Sequence, residues 1–234
     1  VPYREHRAHA FGGFGLNNDG REFMYAYELQ VELLKVENPS VWRRISVPGT
    51  VSMKTLHRVI QTAFGWRDYH CWNFMTDAGN FCVSEYPDED ADWLPPEVER
   101  ADAVTVTVAD FFTRCTDKKR ATYEYDFGDG WEHLLTLKRR RRCTAEQFGF
   151  DVLDGAGRCP PEDVGGVHGY GEFKRLLATP DKNLSDHEKT RKEELRVWYG
   201  LKEGQTFESE YWNSYDTQTR LYKLQHYQED PHCW

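Results

Sequence analysis

The stretch Thr122–Leu135 reads TYEYDFGDGWEHLL and holds the strongest turn signal of the chain. Aromatic and apolar residues flank the turn on both sides, which is typical of two paired strands. Asp129-Gly130 favours a two-residue type I′ turn, because such a turn needs positive φ at both central positions. In that register Asp126 lies opposite His133 and shares a face with Trp131. The stretch therefore predicts a β-hairpin.

This pairing brings a carboxylate to an imidazole. Directly opposed residues have Cβ atoms roughly 5 Å apart, so Asp126 can accept a hydrogen bond from one ring nitrogen of His133. The other ring nitrogen is then available as a base. The alternative is an ion pair at the rim of the hairpin, which contributes less than ~1 kcal/mol to folding and performs no chemistry. The pattern alone leaves both alternatives open.

The segments around this hairpin add strands and helices without βαβ alternation. Tyr25–Val36 and Val41–Pro48 alternate as a second hairpin does. Ser52 and Gly65 are the expected cap and stop of a helix with an apolar stripe. Further helices are predicted at 170–178 and 185–199. This order predicts an α+β fold, with an antiparallel sheet built from hairpins, helices packed on one side and a helical C-terminal part.

The 234 residues are enough for a substantial core. Composition shifts divide the chain into an N-terminal extension (1–24), an α+β domain (25–200) and an aromatic C-terminal tail (201–234) that we expect to pack on the domain. An acidic, proline-bearing loop is expected around Asp88–Asp92. Six scattered cysteines without C-x-x-C spacing indicate reduced intracellular thiols. No window approaches 18 apolar residues, so we expect a cytoplasmic protein with no membrane contact.

The net charge is −9, from 30 Lys plus Arg against 39 Asp plus Glu. This acidity argues against indiscriminate coating of nucleic acid, but a local basic patch can still bind phosphate. Lys138–Arg142 is a run of five cations at the end of a predicted strand, and Arg43-Arg44 is a shorter pair. The counter-anion is either phosphate or the acidic loop Asp88–Asp92 of the same chain, and both remain open.

A second cluster, CPPEDVGG, spans Cys159–Gly166. Its prolines stiffen the backbone before Glu162 and Asp163, and its glycines permit close approach of a ligand. These carboxylates either bind a substrate or cap the following helix. The His and Cys residues follow no standard zinc spacing, and the chain has no phosphate loop or dinucleotide fingerprint. We therefore expect no metal site and no cofactor.

Three segments together resemble a known family. They begin at YELQVELLKVENPSVW, YEYDFGDGWEH and RCPPEDVGG, and the likeness covers about residues 25–200. They are similar to the plasmid pRiA4b ORF-three-like family, and the insert and aromatic tail resemble a fungal branch of arginine-containing cyclodipeptide synthases. That resemblance implies an aminoacyltransferase that takes aminoacyl groups from arginyl-tRNA and a second charged tRNA. The implied product is a cyclo-Arg-Xaa diketopiperazine.

The resemblance also suggests roles for individual residues. His133, oriented by Asp126, would deprotonate an α-ammonium group. A covalent route would need a nucleophile, Cys159 or Cys71, and direct transfer is the alternative. The carboxylates and rings expected to bind the arginyl or second side chain are Asp129, Glu162, Asp163, Tyr125 and Trp131. The cations expected to hold tRNA are Arg43, Arg44, Lys138, Arg139, Arg140, Arg141 and Arg142.

Two other functions fit the same sequence. The chain is either a non-catalytic nucleic-acid-binding module of a mobile-element-type family, or a protein-interaction domain. The first depends on the basic strand end. The second depends on exposure of aromatic residues in the tail, namely Tyr211, Trp212, Tyr215 and Tyr222.

Overall fold

Nine strands lie within the residues that the computed structural model describes, which are 14–16, 22–87, 94–144 and 149–226. Their bounds are β1 Phe14–Leu16, β2 Glu22–Leu33, β3 Trp42–Pro48, β4 Trp72–Thr76, β5 Phe81–Ser84, β6 Glu99–Asp102, β7 Arg120–Tyr125, β8 Trp131–Cys143 and β9 Asp151–Ala156. They form one sheet in the order β6-β5-β4-β7-β8-β2-β3-β9, with β1 paired to β2 beside this path. The pairings are antiparallel except that of β5 with β6.

The helices of the described ranges are α1 Met53–Phe64, α2 Val108–Thr113, α3 Gly166–Ala178, α4 Asp186–Tyr199 and α5 Ser214–His226, with a short 3-10 helix at Asp181–Asn183. The first helix begins and ends where the sequence predicts. Ser52 accepts a hydrogen bond from the Thr55 amide at 3.1 Å, and Gly65 ends the helix with a left-handed φ of 94°. The predicted α+β class with a mostly antiparallel sheet is confirmed.

The core lies on one face of the sheet. Along β2, Tyr27, Leu29, Val31 and Leu33 are at most 4% exposed, while the residues between them are partly exposed. This is the alternation that a half-buried strand requires. Apolar residues of all five helices join these side chains in one continuous cluster.

The quoted hairpin forms, but its predicted register is wrong. The strands pair Tyr125 with Trp131 and Tyr123 with His133, so Asp126 lies outside the ladder and does not oppose His133. A residue opposite Tyr123 faces the core side of the sheet, and His133 is fully buried there. The expected Asp–His pair across the hairpin therefore does not exist.

The loop of this hairpin spans residues 126–130 and is organised by one side chain. Asp126 Oδ1 accepts hydrogen bonds from the amides of Gly128 at 3.0 Å and Asp129 at 3.2 Å. The Asp126 backbone has a left-handed φ of 58°, and its carbonyl oxygen accepts from the Gly130 amide at 2.6 Å. An aspartate whose carboxylate accepts hydrogen bonds from backbone amides two and three residues later favours a longer loop over the two-residue turn.

The C-terminal region packs on the sheet and on α1. Helix α5 contacts α1 and β9, and it buries Leu221 and Leu224. Before it, the Trp212 ring lies 5.2 Å from the Arg43 guanidinium.

Of the predicted N-terminal extension, residues 14–16 and 22–24 pair as strands. The predicted acidic loop Asp88–Asp92 lies outside the described residues. Among the described helices, none is long and apolar enough to cross a bilayer.

Candidate functional site

Three loops meet at one end of the sheet: the loop after α1, the hairpin loop between β7 and β8, and the loop before α3. Trp66 Nε1 donates to the carbonyl oxygen of Pro160 at 3.1 Å, and the Gly165 amide donates to Asp129 Oδ2 at 3.1 Å. Gly166 has a φ of 66°, and a Cβ there would overlap the carbonyl oxygen of Asp129. Glycine is therefore required at position 166, where the loop before α3 contacts the hairpin loop.

Two adjoining recesses open beside this junction. The larger has a volume of about 470 Å³ and the smaller about 270 Å³. They share Trp66, Arg67 and Tyr69 as a common wall. The remaining residues of the larger recess are Phe64, Gly65, Arg158, Cys159, Pro160, Pro161, Glu162, Asp163, Trp198 and Tyr199. Those of the smaller recess are Arg58, Gln61, Thr62 and Asp68.

The Glu162 carboxylate in the larger recess is fixed in position by hydrogen bonds. Its Oε1 accepts from the Arg67 amide at 2.7 Å, and the Tyr125 hydroxyl donates to both carboxylate oxygens, at 3.1 and 3.3 Å. Burial raises the pKa of Tyr125, which keeps its hydroxyl a donor, and burial also raises the pKa of Glu162. The structure thus places Glu162 and Asp163, two of the predicted substrate-binding acids, on the recess wall.

Aromatic residues that the sequence analysis did not select form the walls. The Tyr69 side chain is 66% exposed and Trp198 is 48% exposed, and both line the larger recess. Trp131, predicted to stack on substrate, is instead fully buried beneath Trp66, with ring centroids 6.1 Å apart. The available signal was the aromatic W-R-D-Y that follows the Gly65 helix stop, because a loop after a helix end presents side chains to solvent.

His133 lies under the site and not at its mouth. The ring is fully buried, and its plane is nearly perpendicular to the rings of Phe64 and Trp66 at centroid distances of 5.1 Å. Its Nδ1 lies 3.2 Å from the carbonyl oxygen of Tyr123, and burial lowers the pKa of the imidazole to about 3. A neutral ring without access to solvent or to the recess has no path to a substrate proton, so the geometry does not support its predicted role as a base.

Asp126 does meet an imidazole, but it is that of His70. The Nε2 atom of His70 lies 3.5 Å from Asp126 Oδ2 and 3.0 Å from Asp163 Oδ1. These contacts satisfy an ion-pair distance, yet Nε2 makes no hydrogen bond of ordinary geometry with either carboxylate. His70 was not predictable as a site residue, because it lies outside the three segments that resemble the family and no local pattern relates it to Asp126.

A second buried histidine supports the floor of the smaller recess. His57 Nδ1 lies 2.9 Å from the Tyr123 hydroxyl, and its Nε2 lies 2.6 Å from Asp68 Oδ1. Gln61 donates to the same hydroxyl at 2.9 Å and accepts from the Asp68 amide at 3.0 Å. Burial lowers the pKa of His57, although the hydrogen bond to Asp68 opposes this shift. The network holds Asp68 and Gln61 at the recess.

The two predicted nucleophiles differ in position. Cys159 lines the larger recess and is half-buried, and burial raises the pKa of its thiol well above the usual value despite the nearby Arg43. A protonated thiol is a poor nucleophile. Cys71 is exposed, and its backbone carbonyl accepts from the Asp126 amide at 2.9 Å. Both are free thiols.

Arg43 cannot serve as a tRNA ligand. Its side chain is fully enclosed between the Phe64 and Trp212 rings, at 5.1 and 5.2 Å, and the residue is only 2% exposed. Its nitrogens donate to four backbone carbonyl oxygens, those of Trp42, Ala63, Ala156 and Gly157. Burial lowers the pKa of the guanidinium to about 10, so it remains charged at neutral pH. Its role is structural.

The other predicted tRNA-binding cations lie away from the recesses. Lys138 is seven residues along β8 from Trp131, about 23 Å at the usual strand rise. Arg140 lies over the ring of Tyr25 at 5.8 Å, and Arg142 over that of Phe23 at 4.5 Å. Arg44 and Arg141 face acids of neighbouring strands, Asp154 at 3.5 Å and Glu28 at 3.9 Å, and Arg139 is exposed. The chain's own acids therefore balance part of this charge.

Comparison with known proteins places the chain in a family. The family described as plasmid pRiA4b ORF-3-like protein matches residues 25–216. A relative from Sinorhizobium fredii, the uncharacterized protein y4hQ, is 40% identical over 153 residues, which cover 65% of this chain and 73% of the relative. The crystal structure of a protein of unknown function, MM3350 from Methanosarcina mazei Go1, matches with a TM-score of 0.64 and 25% identity, covering 82% of this chain and 96% of that chain. The chain therefore belongs to the plasmid pRiA4b ORF-3-like family.

Proposed function

We propose that this protein takes aminoacyl groups from two charged tRNAs and joins them into an arginine-containing cyclic dipeptide. The observation that carries the proposal is the pair of adjoining recesses, of which the larger is lined by acidic and aromatic side chains. The reaction needs two aminoacyl groups side by side, and a volume of about 470 Å³ is in the range of small-molecule sites. The reaction type is the one implied by the resemblance of the insert and the aromatic tail to fungal cyclodipeptide synthases.

The larger recess suits an arginyl side chain. A guanidinium group prefers a carboxylate that accepts two parallel hydrogen bonds, and Glu162 is fixed in place by the Arg67 amide and the Tyr125 hydroxyl. The planar group also stacks on aromatic faces, which Tyr69 and Trp198 offer at the recess wall. A carboxylate already held by protein donors loses little side-chain freedom when the substrate binds.

The chemistry requires positioning more than strong acid–base groups. The α-amine of one aminoacyl group attacks the ester carbonyl carbon of the other, the carbon–oxygen bond to ribose breaks, and the proton lost by the amine passes to the leaving ribose oxygen through solvent. A second attack of the same kind closes the ring and releases the second tRNA. Because an α-amine has a pKa near ~8, part of it is neutral at physiological pH. The raised pKa of Cys159 favours this direct route over a thioester.

The recess holds only the aminoacyl end of each tRNA. We assign the acceptor backbone to exposed cations of β8, Lys138 and Arg139, about 23 Å along the strand from the hairpin loop. Charged tRNA is a reagent of the cytoplasm, and we place the reaction there.

The test is synthesis by the purified chain. Incubation with arginine, a second amino acid, ATP and a tRNA-charging extract is expected to yield a cyclo-Arg-Xaa mass that RNase abolishes. Glu162→Gln keeps an oxygen for the Arg67 amide and the Tyr125 hydroxyl but removes the charge, so we expect product formation to fall by at least about tenfold. The matched control is Glu172→Gln, at an exposed position of α3. Absence of product with every second amino acid would reject the proposal.

A second candidate is nucleic-acid binding without catalysis. Lys138, Arg139, Arg140 and Arg142 are exposed at one end of β8, which favours this candidate. It predicts binding of tRNA or duplex DNA that weakens steeply with salt and with Arg139→Ala. Titrations that show no binding at low salt would remove it.

A third candidate is protein interaction through the C-terminal region. Tyr211, Tyr215 and Tyr222 are 47%, 77% and 56% exposed, which favours this candidate, while Trp212 is half-buried against Arg43. If these rings dock a partner, Tyr215→Ser should weaken its capture without changing stability. Equal capture by both forms would reject it.

A further inference from the structure

One histidine and two aspartates converge beside the larger recess. His70, Asp126 and Asp163 each offer one ligand atom, and these three atoms lie within 4.8 Å of one another. Each comes from a different loop of the junction, so only the folded chain assembles them. Within the described part of the chain, these residues form the group of histidine, cysteine and acidic side chains that is close enough to share one ion.

The ring nitrogen of this group lacks a hydrogen-bond partner. His70 Nε2 is shielded from solvent and has no hydrogen-bond partner in ordinary geometry, although it lies between two carboxylates. Buried polar atoms normally have a partner, so an exception calls for a specific explanation such as an ion. The geometry thus leaves a ring nitrogen close to two anionic oxygens but without a hydrogen bond to either.

Asp126 is prepared to act as a ligand. Its side chain is only 8% exposed. Its Oδ1 is already engaged by the amides of Gly128 and Asp129, and these bonds fix the orientation of the carboxylate. Its Oδ2 therefore points to His70 Nε2 and remains available. Outer hydrogen bonds of this kind are what orient the carboxylate ligands of metal sites.

The two separations from His70 Nε2 match those of atoms bound to one metal. Two ligands held at about 2.1 Å from one ion are about 3.0 Å apart at a right angle and about 3.4 Å apart at the tetrahedral angle. The observed distances from His70 Nε2 are 3.0 Å to Asp163 Oδ1 and 3.5 Å to Asp126 Oδ2. Both distances are those expected when the imidazole nitrogen and a carboxylate oxygen bind the same ion.

The ligand types indicate the metal. Imidazole nitrogen suits zinc and its neighbours in the first transition row, whereas Mg²⁺ and Ca²⁺ prefer sites made of oxygen alone. We propose that His70, Asp126 and Asp163 form a binding site for a divalent first-row transition metal, with Zn²⁺ as the tightest of the probes below. The Asp163 side chain is 64% exposed and lines the larger recess, so at least one coordination position faces that recess.

This site is independent of the proposed reaction. An ion held by Asp163 leaves Glu162 as the acid for a guanidinium group, so the two assignments are compatible. Metal binding is measured on the protein without tRNA or amino acids, and failure of one proposal does not decide the other.

The experiment is calorimetric titration of the chelator-treated full chain with Zn²⁺, Mn²⁺ and Mg²⁺. We expect one Zn²⁺ per chain, weaker Mn²⁺ binding and no Mg²⁺ binding, following the order of affinities for mixed nitrogen and oxygen ligands. Changes outside the ligand shell weaken metal sites by 10- to 100-fold, so loss of a ligand in His70→Ala or Asp163→Asn should cost at least about 100-fold. The exposed His187→Ala is the matched control.

A second measurement separates this site from the cysteines. The absorption spectrum of bound Co²⁺ should report nitrogen and oxygen ligands without a thiolate band. Asp163→Asn tests the site with little effect on folding, because the Asp163 side chain is 64% exposed. Zn²⁺ affinity that is unchanged in both His70→Ala and Asp163→Asn, or a thiolate band in the Co²⁺ spectrum, or no binding at all, would overturn the proposal.

Discussion

His133 makes the stability of this protein depend on pH in a way that one substitution can isolate. The ring is fully buried and donates from Nδ1 to the Tyr123 carbonyl oxygen, and burial lowers its pKa to about 3. In the unfolded chain the same imidazole titrates near ~6.5. His133→Asn removes the titration but keeps a nitrogen donor for that carbonyl.

The sign follows from which state binds the proton. Below pH ~6.5 the imidazole of the unfolded chain binds a proton, whereas the buried imidazole of the folded chain stays neutral. The free energy of unfolding therefore falls as pH falls, because the unfolded state binds more protons. This loss ends near the folded pKa of about 3. The slope within this window is about 1.4 kcal/mol per pH unit. Between pH 8 and pH 5, His133 should therefore remove about 2 kcal/mol of stability.

The assay is urea unfolding of the native chain and of His133→Asn at pH 8, 6.5 and 5. His57 is also buried with a lowered pKa, but it is present in both proteins and cancels in the difference. The variant will start lower because a smaller side chain leaves a cavity, yet it should lose about 2 kcal/mol less than the native chain between pH 8 and pH 5. His187→Asn, at an exposed position, controls for an added asparagine.

Equal losses of stability in the native chain and in His133→Asn would refute this reasoning. Such a result would mean that the imidazole gains a proton while folded, and therefore that it reaches solvent or a carboxylate. The predicted role of His133 as a base would then be open again.

Two further predictions concern the frame of the site. Arg43→Met leaves buried backbone carbonyls without donors and should lower the free energy of unfolding by about 3 kcal/mol, whereas Arg44→Met should change it by less than about 0.5 kcal/mol, both measured by urea unfolding. Gly166→Ala, at a φ of 66° and against the Asp129 carbonyl, should cost at least about 2 kcal/mol, while Gly171→Ala in α3 should stabilise by up to about 1 kcal/mol. Equal effects within either pair would contradict the contacts described.

Secondary structure was predictable where the pattern is local. The alternation from Tyr27 to Leu33 decides which face of β2 is buried, because successive strand residues point to opposite sides. Ser52 and Gly65 mark the ends of α1 because a side-chain acceptor and a left-handed residue act within one turn of the helix. The α+β class follows from the order of such elements.

The hairpin register was not predictable from its turn signal. The Asp129-Gly130 pair favours a two-residue turn. In the structure, however, Asp126 accepts hydrogen bonds from the Gly128 and Asp129 amides, and the Gly165 amide donates to Asp129 Oδ2. The last contact comes from a loop far along the chain. A register that shifts places different residues opposite each other, and this shift separated Asp126 from His133.

Local sequence patterns were enough to predict the class of the fold, the family and a glycine-rich loop that carries acids at 162 and 163. The contact of His70 with Asp126, the enclosure of Arg43 and the burial of a neutral His133 became known from the folded chain alone. Burial, charge state and partner depend on what packs against a side chain. Those neighbours come from loops and strands that no local spacing relates.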